Sequence, residues 1–259
     1  MSWHNASSSP RFTARRLLAA CAAGAALLLP LAAQAAIVVA ASGPSAKSYP
    51  PGTKLPDEAT ITLQAADSVT VLDKNGTRVL KGAGTYKVGS TSGVNRGATF
   101  AALTTQRSAT RVRTGAVRGE GPDGKPLRPN LWYVDVTAPG TICLTSLANV
   151  RAWRPAKDGA ATYRLVSASG LASGTIAFFR PVDDRTMGRA GGAPLRDGSS
   201  YAIRGTGNAE AVTVTFALLP ARGPDGTPFD MEDLGAALLE RGCTGQLAVM
   251  TQTLALPSG

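Results

Sequence analysis

From Ala59 onward the chain alternates apolar and polar positions. Ile61 and Leu63 are followed by Val69 and Val71 with polar residues between, the pattern of strands that bury one face. Asp73-Lys74-Asn75-Gly76 is a hairpin signal, because Asn-Gly readily takes the positive φ values of a tight turn. Thr77-Arg78-Val79-Leu80 is then the return strand, and Gly82 to Val88 continues the alternation. Ahead of these, Ile37-Val38-Val39 reads as a first strand and Ser48-Tyr49-Pro50-Pro51-Gly52 as a turn. Residues 89–98 are rich in Gly, Ser and Asn and read as a loop. Phe100 to Arg113 has no clear period and leaves room for a short helix.

The second half is a run of short strands separated by turns. They are expected at Leu131–Val136, Thr141–Leu144, Val150–Trp153, Ala161–Val166, Gly174–Phe179, Ser200–Ile203 and Val212–Leu218. Such spacing suggests a sandwich. One helix interrupts them over 231–241: Asp230 caps it, Met231, Leu234, Ala237 and Leu238 share a face, and Arg241-Gly242 closes it. Leu247-Ala248-Val249-Met250 is expected as a last strand. Gly-Pro-Asp-Gly-x-Pro occurs around Asp123 and again around Asp225, but the flanks do not match, so these are two independent turns. The expected fold is therefore all-β. A small N-terminal β domain covers 36–120, and a β-sandwich-like domain with one short helix covers 121–259, with the boundary near residues 119–130.

The opening segment has a different character. Arg11, Arg15 and Arg16 are the only charges before Lys47, and an apolar run from Leu17 to Leu29 follows them. Pro30 breaks the run ahead of Ala33-Gln34-Ala35, which has the small-x-small form of a cleavage site. This is the order of a secretory signal peptide over 1–35, with cleavage after Ala35 and the periplasm as destination. Two other readings stand beside it. Leu18-Ala19-Ala20-Cys21 has the letters of a lipoprotein box, although only four apolar residues separate Arg16 from Cys21. Leu17 to Ala41 is also 25 residues without a charge, long enough for an uncleaved anchor, although Pro30 and Gln34 lie inside it.

Composition narrows the chemistry. Hydrophobic residues make up 44% of the 259 and charged ones 17%, which excludes a disordered polyelectrolyte and provides for a core. Cleavage after Ala35 removes three arginines and no acid, leaving 24 basic residues against 17 acidic ones, a net charge of +7. It also removes His4, the only histidine. A mature chain without histidine has no Ser-His-Asp or Cys-His pair, no imidazole base and no histidine-ligated zinc. Ser45-Ala46-Lys47 misses the Ser-x-x-Lys spacing by one residue. Gly205-Thr206-Gly207 lacks the third glycine of a dinucleotide loop and leads into a strand. What remains is carboxylate chemistry. Asp183-Asp184 is the densest acidic pair, and its plainest reading is a solvated turn. No catalytic residue, metal site or cofactor is expected.

Cys143 and Cys243 remain after cleavage and most simply form one structural disulfide in an oxidising compartment. A basic stretch runs through Arg107, Arg111, Arg113, Arg118, Lys125 and Arg128, against Glu120 and Asp123. Arg107, Arg111, Arg113 and Arg118 form its candidate binding strip, able to meet lipid phosphates, acidic glycans or an acidic protein. Its plainer reading is a solvated strand face.

Leu63 to Leu72, followed by Gly76-Thr77-Arg78-Val79-Leu80-Lys81-Gly82, resembles a group of uncharacterised exported alphaproteobacterial proteins. The opening region of that group is similar to the FecR-type periplasmic β domain. Arg113 to Gly119, Leu131-Trp132-Tyr133-Val134 and Gly242-Cys243 resemble further features of the group. The FecR-like part covers residues 58–120, and it implies an envelope β module, a roll or barrel, that binds something. FecR proteins proper reach sigma factors through a cytoplasmic tail. Residues 1–16 are too short and signal-like for that role, so sigma regulation is not implied.

Together these observations point to a non-catalytic periplasmic or cell-envelope binding or assembly protein, an adaptor acting through its β surfaces. Its expected partners are an envelope protein, an acidic glycan or an anionic lipid surface. Nucleic acid is not among them, and membrane contact is expected only through an uncleaved anchor. The alternative is a cell-wall glycan hydrolase with paired carboxylates about 5–10 Å apart in a cleft.

Overall fold

The apolar run Ile37-Val38-Val39 is continuous because its strand is covered on both faces. In the computed structural model, β1 (Gln34–Ser42) lies inside a sheet of order β2-β1-β4-β5, with β2 (Lys54–Pro56), β4 (Ser68–Asp73) and β5 (Gly76–Lys81). Ala36 and Val38 face a small core with Ile61, Val69, Val71 and Leu80. Ile37, Val39 and Leu72 face the other way, into the main core. The structure describes Met1 and residues 34–89, 94–105, 128–148, 150–155, 159–168, 170, 173–178, 184–186, 195–205 and 210–256. Those from Gln34 onward belong to one compact unit.

The hairpin forms where the sequence places it. Asp73 Oδ1 accepts the backbone N–H groups of Asn75 and Gly76 at 2.7 and 3.2 Å, and β4 pairs antiparallel with β5 from Ser68↔Lys81 to Asp73↔Gly76. Gly76 has φ +144°, and a Cβ there would stand 2.5 Å from the Leu254 carbonyl oxygen. The residue must therefore be small as well as permissive. A separate two-stranded antiparallel sheet, β3 (Thr60–Leu63) with β6 (Gly84–Lys87), encloses the first hairpin in sequence and carries Ile61 and Leu63 into the small core. The room left between Phe100 and Arg113 is partly used by α1 (Gly97–Thr104), which buries Leu103.

Most strands expected in the second half are present. They are β7 (Tyr133–Asp135), β8 (Gly140–Leu144), β9 (Arg151–Trp153), β10 (Ala161–Ser167), β11 (Ser173–Phe178), β13 (Ser200–Gly205) and β14 (Val212–Leu218). They make a five-stranded sheet, β11-β10-β13-β14-β8, and, with β12 (Asp184–Thr186), a three-stranded one, β12-β9-β7. The two sheets share the main core through Val134, Val136, Ala152, Leu165, Val214 and Phe216. The architecture is β, as expected. Asp184, read as part of a turn, instead lies on β12 and pairs with Trp153 of β9.

Two further features depart from the sequence reading. The chain carries α2 (Met231–Glu240), where one helix was expected in the second half, and directly after it α3 (Thr244–Thr253), which was not expected. Leu247 to Met250, expected as a strand, is the middle of α3. A four-residue apolar run fits either element, and here Gln246, Leu247, Val249 and Met250 are buried together at helical spacing. The other departure concerns α2. It packs on β1 and β4, so the main core joins Ile37, Val39 and Leu72 to Leu234 and Leu238 from the far end of the chain. The boundary expected near 119–130 falls mainly on residues 106–127, outside the described residues. Residues 36–39 are buried in β1, so a span reaching Ala41 would include part of the folded sheet. No helix among the described residues is long and apolar enough to cross a membrane.

Candidate functional site

The segment leading into β7 is fixed at both ends by buried polar side chains. Asn130 Oδ1 accepts the Trp132 N–H at 3.0 Å, and its Nδ2 donates to the Thr105 carbonyl at 2.9 Å. Leu131 N–H donates to the Leu103 carbonyl at 2.9 Å, joining the segment to α1. Gln246 of α3 donates from Nε2 to the carbonyls of Leu131 (2.9 Å) and Cys143 (2.8 Å) and accepts the Cys143 N–H at Oε1 (2.6 Å). The expected disulfide is present: Cys143 of β8 is bonded to Cys243, the residue before α3, with Cα atoms 5.9 Å apart. These bonds hold the first turn of α3 against β7 and β8.

Between those elements lies a cavity of about 300 Å³. Arg128 and Trp153 line it, together with Thr141 and Ile142 of β8 and Thr244 and Gly245 of α3. Arg128 is only 7% exposed. Its Nη1 donates to the Tyr133 carbonyl at 2.9 Å, and no carboxylate of the described residues lies within 4.0 Å of it. Burial pushes the Arg128 guanidinium below its ordinary pKa, and the charge of Asp135 opposes that shift. An arginine does not lose its proton in a protein, so the cavity contains a desolvated positive charge.

Asp135 lines the same cavity, but its Oδ1 is already engaged. It accepts the Thr137 N–H at 2.8 Å and the Thr137 hydroxyl at 2.6 Å, which fixes the loop from β7 to β8. Two features of α3 add to the positive side. The helix has no side-chain hydrogen bond at its N-cap, and its first turn faces the cavity through Thr244 and Gly245. The positive end of the helix dipole therefore lies beside Arg128.

A second cavity of about 320 Å³ lies at the same end of the sheets. The registers establish this: Tyr163 pairs with Gly205, Ile203 with Val212 and Val214 with Gly140, so the start of β10, the end of β13 and the starts of β14 and β8 lie together. Tyr163, Ile203, Val212 and Val136 give it an apolar lining, and exposed Glu210 lies at its rim. Thr137 lines both cavities.

A separate group of acids surrounds the start of α2. Half-buried Glu232 is pushed up to about 7, first by desolvation and then by the charges of Asp230, Asp233 and Asp73, with Lys54 acting against them. Neither cavity reaches Glu232, and each has a single carboxylate among its described lining residues, Asp135 in one and Glu210 in the other.

Of the residues singled out in the sequence, Cys143 and Cys243 are brought together beside the Arg128 cavity. Arg107, Arg111, Arg113 and Arg118 lie outside the described residues. Arg128 closes the basic stretch in sequence, but it is buried instead of lying on a solvated face. Asp135, Thr137 and Thr244 had no signal in the sequence, because sheet pairing and the disulfide bring them together.

No protein-family model matches the chain, and no curated protein matches it. Among solved structures, the fibronectin type III domain of the human collagen alpha-1(XX) chain is similar at 18% identity and a TM-score of 0.22, covering 33% of this chain and 82% of that one. At that TM-score the likeness carries no argument, and the β architecture rests on the strands described above.

Proposed function

We propose that this chain is a non-catalytic binding or assembly protein of the cell envelope, exported by its opening segment, and that the Arg128 cavity receives an acidic group of its partner. The observation that carries the reading is Arg128 itself, a buried guanidinium lining an open cavity beside the uncapped first turn of α3. A desolvated charge is costly unless something of opposite sign meets it. An incoming phosphate or carboxylate would supply that charge, together with the flat acceptor edge that a guanidinium fork matches.

Several observations support binding over catalysis. Asp135, the one carboxylate among the described residues that line this cavity, is held at Oδ1 by Thr137. No histidine follows His4 in the sequence. The Cys143–Cys243 bond fits an oxidising compartment, as export would supply. The resemblance to exported proteins with a FecR-like opening region favours the same setting.

The test combines location and binding. The tagged full chain is expressed, released by osmotic shock, purified, and titrated calorimetrically with sodium phosphate and with sodium acetate. The reading expects release with the periplasmic fraction and saturable uptake of one anion per chain. Retention in the cytoplasm, or heats that never saturate with either anion, would overturn it.

A further inference from the structure

The two cavities open at one end of the sheet pair with Thr137 lining both. From this we infer that the acidic group is the head of a single-chain amphiphile whose hydrocarbon part lies in the second cavity. The inference rests on the Arg128 reading above and adds the class of ligand to it. In the second cavity, Val136 and Ile203 are buried and Tyr163 and Val212 half-buried, so the lining is apolar and reachable from the mouth. At about 320 Å³, it has room for about ten groups the size of a water molecule. An alkyl chain of moderate length fits that space, whereas a bare inorganic anion would leave it unfilled.

Charge sets the direction of the ligand. Each cavity has one carboxylate among its described lining residues, Asp135 in the first and Glu210 in the second, so it is Arg128 and the first turn of α3, present only in the first, that draw an anionic head there. The loop from Val136 to Pro139 separates the two environments, and Asp135 holds that loop through its two bonds to Thr137. The ligand would thus cross Thr137, with its head on Arg128 and its chain against Ile203.

Calorimetric titration of the full chain tests this, using inorganic phosphate, butyl phosphate and octyl phosphate below their micelle concentrations, with octylamine as the control of opposite charge. The association constant should rise about three- to fourfold for each methylene that enters the cavity. Octylamine should bind far more weakly than octyl phosphate. Val212→Ala, in a variant whose amide spectrum shows that it is folded, should reduce the gain with chain length. If inorganic phosphate binds and the three phosphates have equal affinity, the amphiphile inference is overturned and the anion reading survives. If no phosphate binds, both are overturned. Octylamine binding as tightly as octyl phosphate would also overturn the inference.

Discussion

The side-chain amide of Gln246 bonds both backbone polar groups of Cys143, accepting its N–H at 2.6 Å and donating to its carbonyl at 2.8 Å. Cys143 lies on β8, the edge strand of the five-stranded sheet, where unpaired backbone groups would otherwise offer a template to another chain. One glutamine thus acts as the missing neighbouring strand. Gln246→Ala leaves three buried backbone groups without their partner, because Leu131 loses its donor as well. Each unsatisfied group costs about 1–3 kcal/mol before relaxation. We expect a net loss of about 2–4 kcal/mol in urea denaturation.

The disulfide closes a separation of 100 residues. A loop of that size is stabilised by about 4–5 kcal/mol through the entropy of the unfolded chain. The double variant Cys143→Ala, Cys243→Ala should lose a large part of that in equilibrium denaturation. Because the bond also holds α3 beside Arg128, the variant should bind phosphate more weakly even where it remains folded.

Gly235 explains how α2 comes so close to the first sheet. A Cβ at this position would stand 2.5 Å from Leu72 Cδ2, and Leu72 is fully buried. Gly235→Ala therefore should destabilise by about 1–3 kcal/mol through overpacking, although alanine is the better helix former by about 1 kcal/mol. Adding Leu72→Val removes the clashing methyl and should recover part of the loss, which a double-mutant cycle would measure.

Glu232 makes stability depend on pH. Its folded pKa of about 7 lies above the ordinary 4.5, so between those values the folded state holds more protons than the unfolded one. Stability from this group is fully present below the ordinary value and is lost as pH rises through about 7. Glu232→Gln should raise the Tm at pH 8 and leave it nearly unchanged at pH 4, as read by thermal scans across that range. An equal effect at both pH values would contradict the assignment.

Much of the scaffold was legible because local chemistry determined it. Asp73 set a hairpin by accepting the N–H groups of Asn75 and Gly76, with Lys74 and Asn75 in the turn and the positive φ only at Gly76. Asp230 and Gly242 bracketed α2, and Val212 to Leu218 had a strand's composition. The cysteine pairing followed from there being only two cysteines, Cys143 and Cys243, beyond the opening segment. What the sequence hid is non-local. The parallel pairings of β7 with β9 and of β8 with β14 join segments with no common local signal. α3 was hidden because Cys243 supplies no capping bond and the buried polar Gln246 interrupts its apolar pattern. Arg128 was misread for a related reason. At the end of a basic stretch it looks like one more solvated charge, and only the folding of β7 and α3 around it removes it from water.

Whether the Arg128 cavity is an anion site is decided by a site-resolved titration. Amide resonances of the isotope-labelled full chain would be followed as inorganic phosphate is added, in the native chain and in Arg128→Gln. An anion site there gives saturable shifts centred on Thr141, Thr244 and Gly245, absent in the variant, whose remaining spectrum would show that it is folded. Shifts spread over the basic surface without saturation, or unchanged in Arg128→Gln, would contradict it.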